Sequence, residues 1–156
     1  MEIMPSMPTT LIRDARQALE GARRAFERGR LREAVELLEQ ALKLGADTVT
    51  TRTMLGIAYA RTHEVERAFS HLEHAAAMDP EAFGPQCALG ELNMRLCAVD
   101  SAREYLARAL EYASTSAERE YVQHLLHEER VRNRQRISRP SFRKPFWPRH
   151  HKRSEN

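Results

Sequence analysis

The sequence predicts an all-α chain built from helical hairpins in tandem, and three observations predict it. First, Ala34, Ala68 and Ala102 stand 34 residues apart, each followed four positions on by Leu38, Leu72 and Leu106 and then three further by Ala41, Ala75 and Ala109. Second, aromatic residues are only 6% while alanine and leucine abound, which favours helices packed through small side chains over a sheet. Third, apolar positions within each period recur at helical spacing. The 156 residues suffice for one domain with a sizeable core. A fixed period of this size is the mark of a repeat array. The units run about 15–48, 49–82 and 83–116, each a helix, a short turn and a second helix.

Residues 1–14 read as a leader. "MEIMPSMPTTLIRD" has no basic start and no long apolar run, so no signal peptide is expected in it, and no stretch of the chain approaches the ~20 apolar residues of a membrane span. In unit one, Gly29 marks the turn. Twelve residues before each alanine of the frame come Ala22, Gly56 and Gly90. Glycine inside a helix costs about 0.8–1 kcal/mol relative to alanine. Gly56 and Gly90 are explained if each faces its partner helix at Ala68 or Ala102, where axes close to about 8 Å only over small residues. The dispersion energy recovered there outweighs the lost propensity. Both glycines could instead mark helix ends, but apolar spacing continues past each. Asp79-Pro80 ends one helix and Gly84-Pro85 opens the next, since proline suits the first turn, where no amide donor is needed.

Residues 117–137 read as a further helix with Tyr121, Val122, Leu125 and Leu126 as its apolar stripe. A stack of repeats leaves its last apolar face bare, and a terminal helix with a polar outer side covers it. Arg130, Arg132, Arg134 and Arg136 fall in its final turns, where positive charge is favourable. Residues 138–156 carry three prolines and no periodicity, a composition expected to stay disordered in isolation.

The 34-residue spacing resembles the tetratricopeptide repeat (TPR) family, whose pattern is W-x2-L-G-x2-Y, then A-x3-F, then P. Unit two matches through Leu55, Gly56, Tyr59, Ala68, Leu72, Ala75 and Pro80. Unit three keeps Leu89, Gly90, Ala102, Leu106 and Ala109, with Asn93 at the tyrosine and Ser114 at the proline. Unit one has Gly21 and Ala22 at the Leu-Gly pair, and the tryptophan place holds Ala18, Arg52 and Gln86. The resemblance covers about 102 residues.

It implies a right-handed superhelix whose concave wall is lined by the first helix of each unit. By that register the groove holds Arg16, Leu19, Arg23 and Phe26, then Thr53, Ile57, Ala60 and Arg61, then Cys87, Glu91, Met94 and Arg95. Part of this set is inter-repeat packing, Leu19 and Ile57 first. The remainder suits a protein or peptide segment, extended or helical, with apolar anchors and some acidic residues. Co-chaperones of this family hold a chaperone's C-terminal carboxylate with Lys, Asn and Arg at two of these positions. Here those positions carry Leu19 and Arg23, Thr53 and Ile57, Cys87 and Glu91, which speaks against that clamp. The three-repeat size is also similar to the secretion chaperones of bacterial type III systems, which hold an extended client.

Charge divides the chain. Residues 1–129 carry a net −6 and residues 130–156 a net +9. In the tail, Arg139, Arg143, Lys144, Arg149, Lys152 and Arg153 are interleaved with Phe142, Phe146 and Trp147. Cations of this kind bind phosphates and aromatics stack on bases or enter a lipid interface, so nucleic acid or an anionic membrane is a second partner class. The same segment equally suits a solvated terminus, or one folding back onto the acidic repeats. Cys87 and Cys97 form no disulfide framework and are expected to be reduced thiols of a cytoplasmic protein. The pairs His71/His74 and His124/His127 have no acidic cluster to complete a metal site. No catalytic motif, cofactor loop or small-molecule site is legible, and no enzyme is expected.

Overall fold

The computed structural model describes residues 9–135. Within them the chain forms seven helices and no strand: α1 (Thr9–Glu27), α2 (Leu31–Lys43), α3 (Val49–Arg61), α4 (Val65–Met78), α5 (Phe83–Arg95), α6 (Val99–Glu111) and α7 (Ser116–Gln135). They pack as hairpins α1/α2, α3/α4 and α5/α6, with α7 against α6 and α5. The expected tail, residues 138–156, and Arg136 lie outside the described residues.

The frame of small residues forms the core. Ala34, Leu38 and Ala41, Ala68, Leu72 and Ala75, and Ala102, Leu106 and Ala109 are all fully buried on the second helices. Gly56 and Gly90 do sit at the hairpin contacts; Gly56 meets Leu72 most tightly and Ala68 beside it, while Gly90 is pressed by Leu106 rather than by Ala102. A Cβ on Gly56 would lie 2.5 Å from Leu72 Cγ and 3.2 Å from the Ala68 carbonyl oxygen, and one on Gly90 would lie 2.6 Å from Leu106 Cδ2. Ala22 occupies the equivalent place in unit one, buried in one cluster with Leu38.

Two boundaries differ from the expected ones. α1 begins at Thr9, so the second half of the expected leader is helical. Its buried face starts only at Ala15, and Leu11 and Ile12 are exposed. Apolar periodicity reports burial, and this opening stretch buries nothing. Phe83 already opens α5, which places Pro85 in the first turn. Cys97 lies past the end of α5 in the turn to α6.

Each hairpin turn reuses one device. Arg30 N–H donates to the Ala25 carbonyl at 2.8 Å, Glu64 N–H to Tyr59 at 2.9 Å and Ala98 N–H to Asn93 at 3.0 Å, the long bond of a helix-ending Schellman turn. The residue before each donor is left-handed: Gly29 at φ 73°, His63 at 69° and Cys97 at 59°. Only glycine adopts this conformation without a Cβ penalty of roughly 1–2 kcal/mol, partly offset by glycine's freedom in the unfolded chain. His63→Gly and Cys97→Gly are each therefore expected to raise stability by about 0.5–1 kcal/mol. Urea unfolding midpoints at equal slope check it; a lower midpoint for both counts against it.

A polar chain ties unit one to unit two. The Tyr59 hydroxyl on α3 donates to Glu39 Oε1 on α2, accepts from Arg67 Nη1 on α4 at 3.4 Å, and its ring stacks on His71 at 5.5 Å. Burial, with Glu39 beside it, pushes the phenol up to about 12, so Tyr59 stays a donor. The cap helix α7 starts with a reciprocal capping box. Thr115 Oγ1 accepts from the Glu118 amide at 3.1 Å, and Glu118 Oε2 accepts from the Thr115 amide at 3.0 Å.

Candidate functional site

The residues expected to line the groove divide by what surrounds them. Arg16 is exposed, while Arg23, Phe26, Ile57, Arg61 and Arg95 are half-buried. Thr53, Cys87 and Met94 are buried. Leu19 and Ile57 pack against the main core, in line with their reading as packing residues.

One row of side chains joins the three units. The Arg61 guanidinium lies over the Phe26 ring, 5.1 Å from its centre, a cation–π contact between the end of α3 and the end of α1. The neighbouring Ala60 carbonyl accepts Arg95 Nη1 at 2.7 Å, and Arg95 Nη2 reaches His63 Nδ1 at 3.5 Å. Burial lowers the pKa of both guanidiniums. Guanidinium remains cationic throughout the physiological range. A partly desolvated cation has less water to lose, so it gains more from an arriving carboxylate than an exposed one does. Among the described residues, no carboxylate lies within ion-pair distance of Arg61.

Thr53 is spent within its helix, its Oγ1 donating to the Val49 carbonyl at 2.7 Å. The wall of unit three is covered. Cys87 and Met94 are buried in one apolar cluster with Val122 and Leu125 of α7. Glu91 Oε1 accepts the Tyr121 hydroxyl of α7 at 2.7 Å, with Cys87 Sγ at 3.8 Å. Burial pushes the Glu91 carboxyl up to about 7, against the opposing pull of Tyr121, Cys87 and Arg95. Burial likewise raises the Cys87 thiol, with Glu91 adding to it. Three residues expected to face a ligand therefore meet the protein's own last helix.

Sequence reading missed Tyr121 as a partner in the groove, although it stands 34 residues after Cys87 and two periods after Thr53. It also missed His63, whose ring nitrogen meets Arg95. The histidine pairs do structural work in part: His71 stacks on Tyr59 and meets Arg52 Nη1 at 3.4 Å. Among the described residues, no group of three or more His, Cys, Asp or Glu is placed to hold a metal ion, and no helix is long and apolar enough to cross a membrane.

No protein-family model and no curated protein matches the sequence at a significant level. Solved structures do match, through shape. The first TPR of Spaghetti (RPAP3), bound to the HSP90 peptide SRMEEVD, superposes with a TM-score of 0.68 at 18% identity, over 78% of this chain and 94% of that one. The fold is that of a TPR domain. The Arabidopsis OM64 TPR domain is similar at a TM-score of 0.67 and 15% identity, over 76% of this chain and 98% of that one. The TPR2B domain of yeast Sti1, in complex with pHsp70, gives 0.68 and 18% over the same shares. The repeat units of this chain thus build the TPR superhelix although its tryptophan place is empty of tryptophan in all three.

Proposed function

We propose that the chain is a non-catalytic TPR adaptor of the cytoplasm that holds a segment of a partner protein in its concave groove. The observation that carries this reading is the row Phe26–Arg61–Arg95, an aromatic and two half-buried guanidiniums spanning the units. Such a row favours a peptide that brings acidic side chains to the cations and an apolar group to the ring. Two of the similar TPR domains are seen with chaperone partners, which supports a peptide as the ligand class. A C-terminal carboxylate clamp is not part of the proposal, because Thr53 and Cys87 are buried and Glu91 would repel an anion when ionised. An extended client of the secretion-chaperone kind would use the same row.

A pull-down with the full chain tests it. Arg61→Glu with Arg95→Glu is expected to abolish capture of the partner, at least a 100-fold loss of affinity, while helicity by circular dichroism stays unchanged. Deleting residues 138–156 is expected to leave capture nearly intact. Undiminished capture by the double variant would overturn the groove reading. Capture that weakens steeply with salt and is lost on tail deletion alone would favour the tethering of nucleic acid or an anionic membrane by Arg139, Arg143, Lys144, Phe146, Trp147, Arg149, Lys152 and Arg153.

A further inference from the structure

Glu91 belongs to the seam where α7 closes on α5. Its Oε1 takes the Tyr121 hydroxyl at 2.7 Å and has Cys87 Sγ at 3.8 Å. On the same two helices, Cys87 and Met94 of α5 are buried in one apolar cluster with Val122 and Leu125 of α7, while Glu91 itself is half-buried. Away from it, α7 is anchored on α6 instead, through Arg103 and Glu129. The helix thus has two seats, an ion pair on α6 and a tyrosine–carboxyl hydrogen bond on α5.

We propose that α7 is a latch over the third-unit wall of the groove, closed while Glu91 is protonated and loosened when it ionises, so that Cys87, Glu91 and Met94 become available to a ligand. The regulatory meaning rests on the groove reading above; the behaviour of the seam itself does not. An ionised Glu91 in the closed seam would be a carboxylate held partly away from water under α7, and opening the seam returns it to water.

The groups that bear on Glu91 are few. Cys87 and Arg95 share α5 with it and Tyr121 faces it from α7, while among the described residues no titratable group of α3, α4 or α6 bears on it. On α7, Glu118 acts on Cys87 and Glu128 on Tyr121. The sign follows from burial. The carboxyl holds its proton up to about 7 in the closed seam, against an ordinary value of 4.5 in water. Closure is then at full strength in acid, weakens as pH rises from 4.5 towards 7, and is constant above. Between pH 5.5 and 8.5 the closing equilibrium is expected to fall about 30-fold.

The test uses the full chain with Cys97→Ser, which leaves Cys87 as the single thiol. Its reaction with iodoacetamide, divided by the rate of the urea-unfolded chain at the same pH, gives a protection factor. That factor is expected to drop about 30-fold from pH 5.5 to 8.5, and to stay level when Glu91→Gln is added. A level factor without Glu91→Gln, or an equal drop with it, overturns the latch. Should Glu91→Gln not fold, deuterium exchange in the unaltered chain decides, corrected for intrinsic rates. Residues 119–127 must exchange faster at pH 8 than at pH 6 while α3 and α4 do not, and uniform exchange overturns the proposal. No peptide is present in either assay, so a wrong groove reading leaves both results standing.

Discussion

Gly56→Ala is expected to lower the unfolding free energy by about 1–3 kcal/mol, the usual range for overpacking a tight core. A new Cβ there meets Leu72 Cγ at 2.5 Å and Leu72 Cδ2 at 2.8 Å. These atoms belong to a fully buried side chain held on α4 by its neighbours, so either the leucine leaves its rotamer or the hairpin spreads. Helix propensity works the other way, adding about 1 kcal/mol for alanine, and the clash is expected to exceed it. Leu72→Ala alone costs roughly 2–5 kcal/mol through the cavity it leaves. Combined with Gly56→Ala it costs less than the two separately, since the added methyl enters the vacated space. Gly21→Ala is the control. Its Cβ would meet only Leu37, Cδ1 at 3.2 Å and Cδ2 at 3.7 Å, the end of a half-buried chain, so this change is neutral or mildly stabilising. Urea unfolding of the four variants checks the set. Wild-type stability in Gly56→Ala would show that the hairpins are not closed on these leucines.

Arg103→Met is expected to cost about 2–3 kcal/mol and to strike α7 first. Glu129 on α7 is only 5% exposed, and its two oxygens take Arg103 Nε at 3.0 Å and Nη2 at 3.1 Å. Removing the cation leaves a buried carboxylate with its geometry intact and its partner gone. The penalty falls below that of a fully buried pair because Arg103 is itself half-exposed and water can reach the gap. Adding Glu129→Met removes the stranded charge and is expected to recover most of the loss. Differential hydrogen exchange across α6 and α7 reads the effect. A single variant as stable as the parent, or a double variant no better than the single, would show that the pair does not hold the cap.

Much of this architecture was legible because its cause is local. A 34-residue recurrence of alanine and leucine at helical spacing dictates both which face of each helix is buried and how helices pair, so the three hairpins follow from neighbours in sequence. The glycines could be placed at the hairpin contacts for the same reason. That Leu72 presses on Gly56 more tightly than Ala68 does could not be read, because both lie on one face of α4 and only the rotation of the two helices ranks them. Positive φ at His63 and Cys97 was illegible because neither residue type announces it; only alignment with Gly29 would have exposed it. The start of α1 was missed because its first turns bury nothing and so leave no apolar signal.

The site was half legible, and the division has one cause. Phe26, Arg61 and Arg95 sit at helix ends near the hairpin turns, and the repeat register brings them into one row. Cys87, Glu91 and Met94 share that register, yet they are covered by a helix from outside the repeat. From the sequence alone, then, come the all-α class, the repeat period, the buried alanines and the acidic body with its basic end, since these depend on side-chain chemistry read at fixed spacing. Only the tertiary structure decided which wall stays open, because that depends on where α7 comes to rest, and its seat is made by groups up to thirty residues distant in the chain.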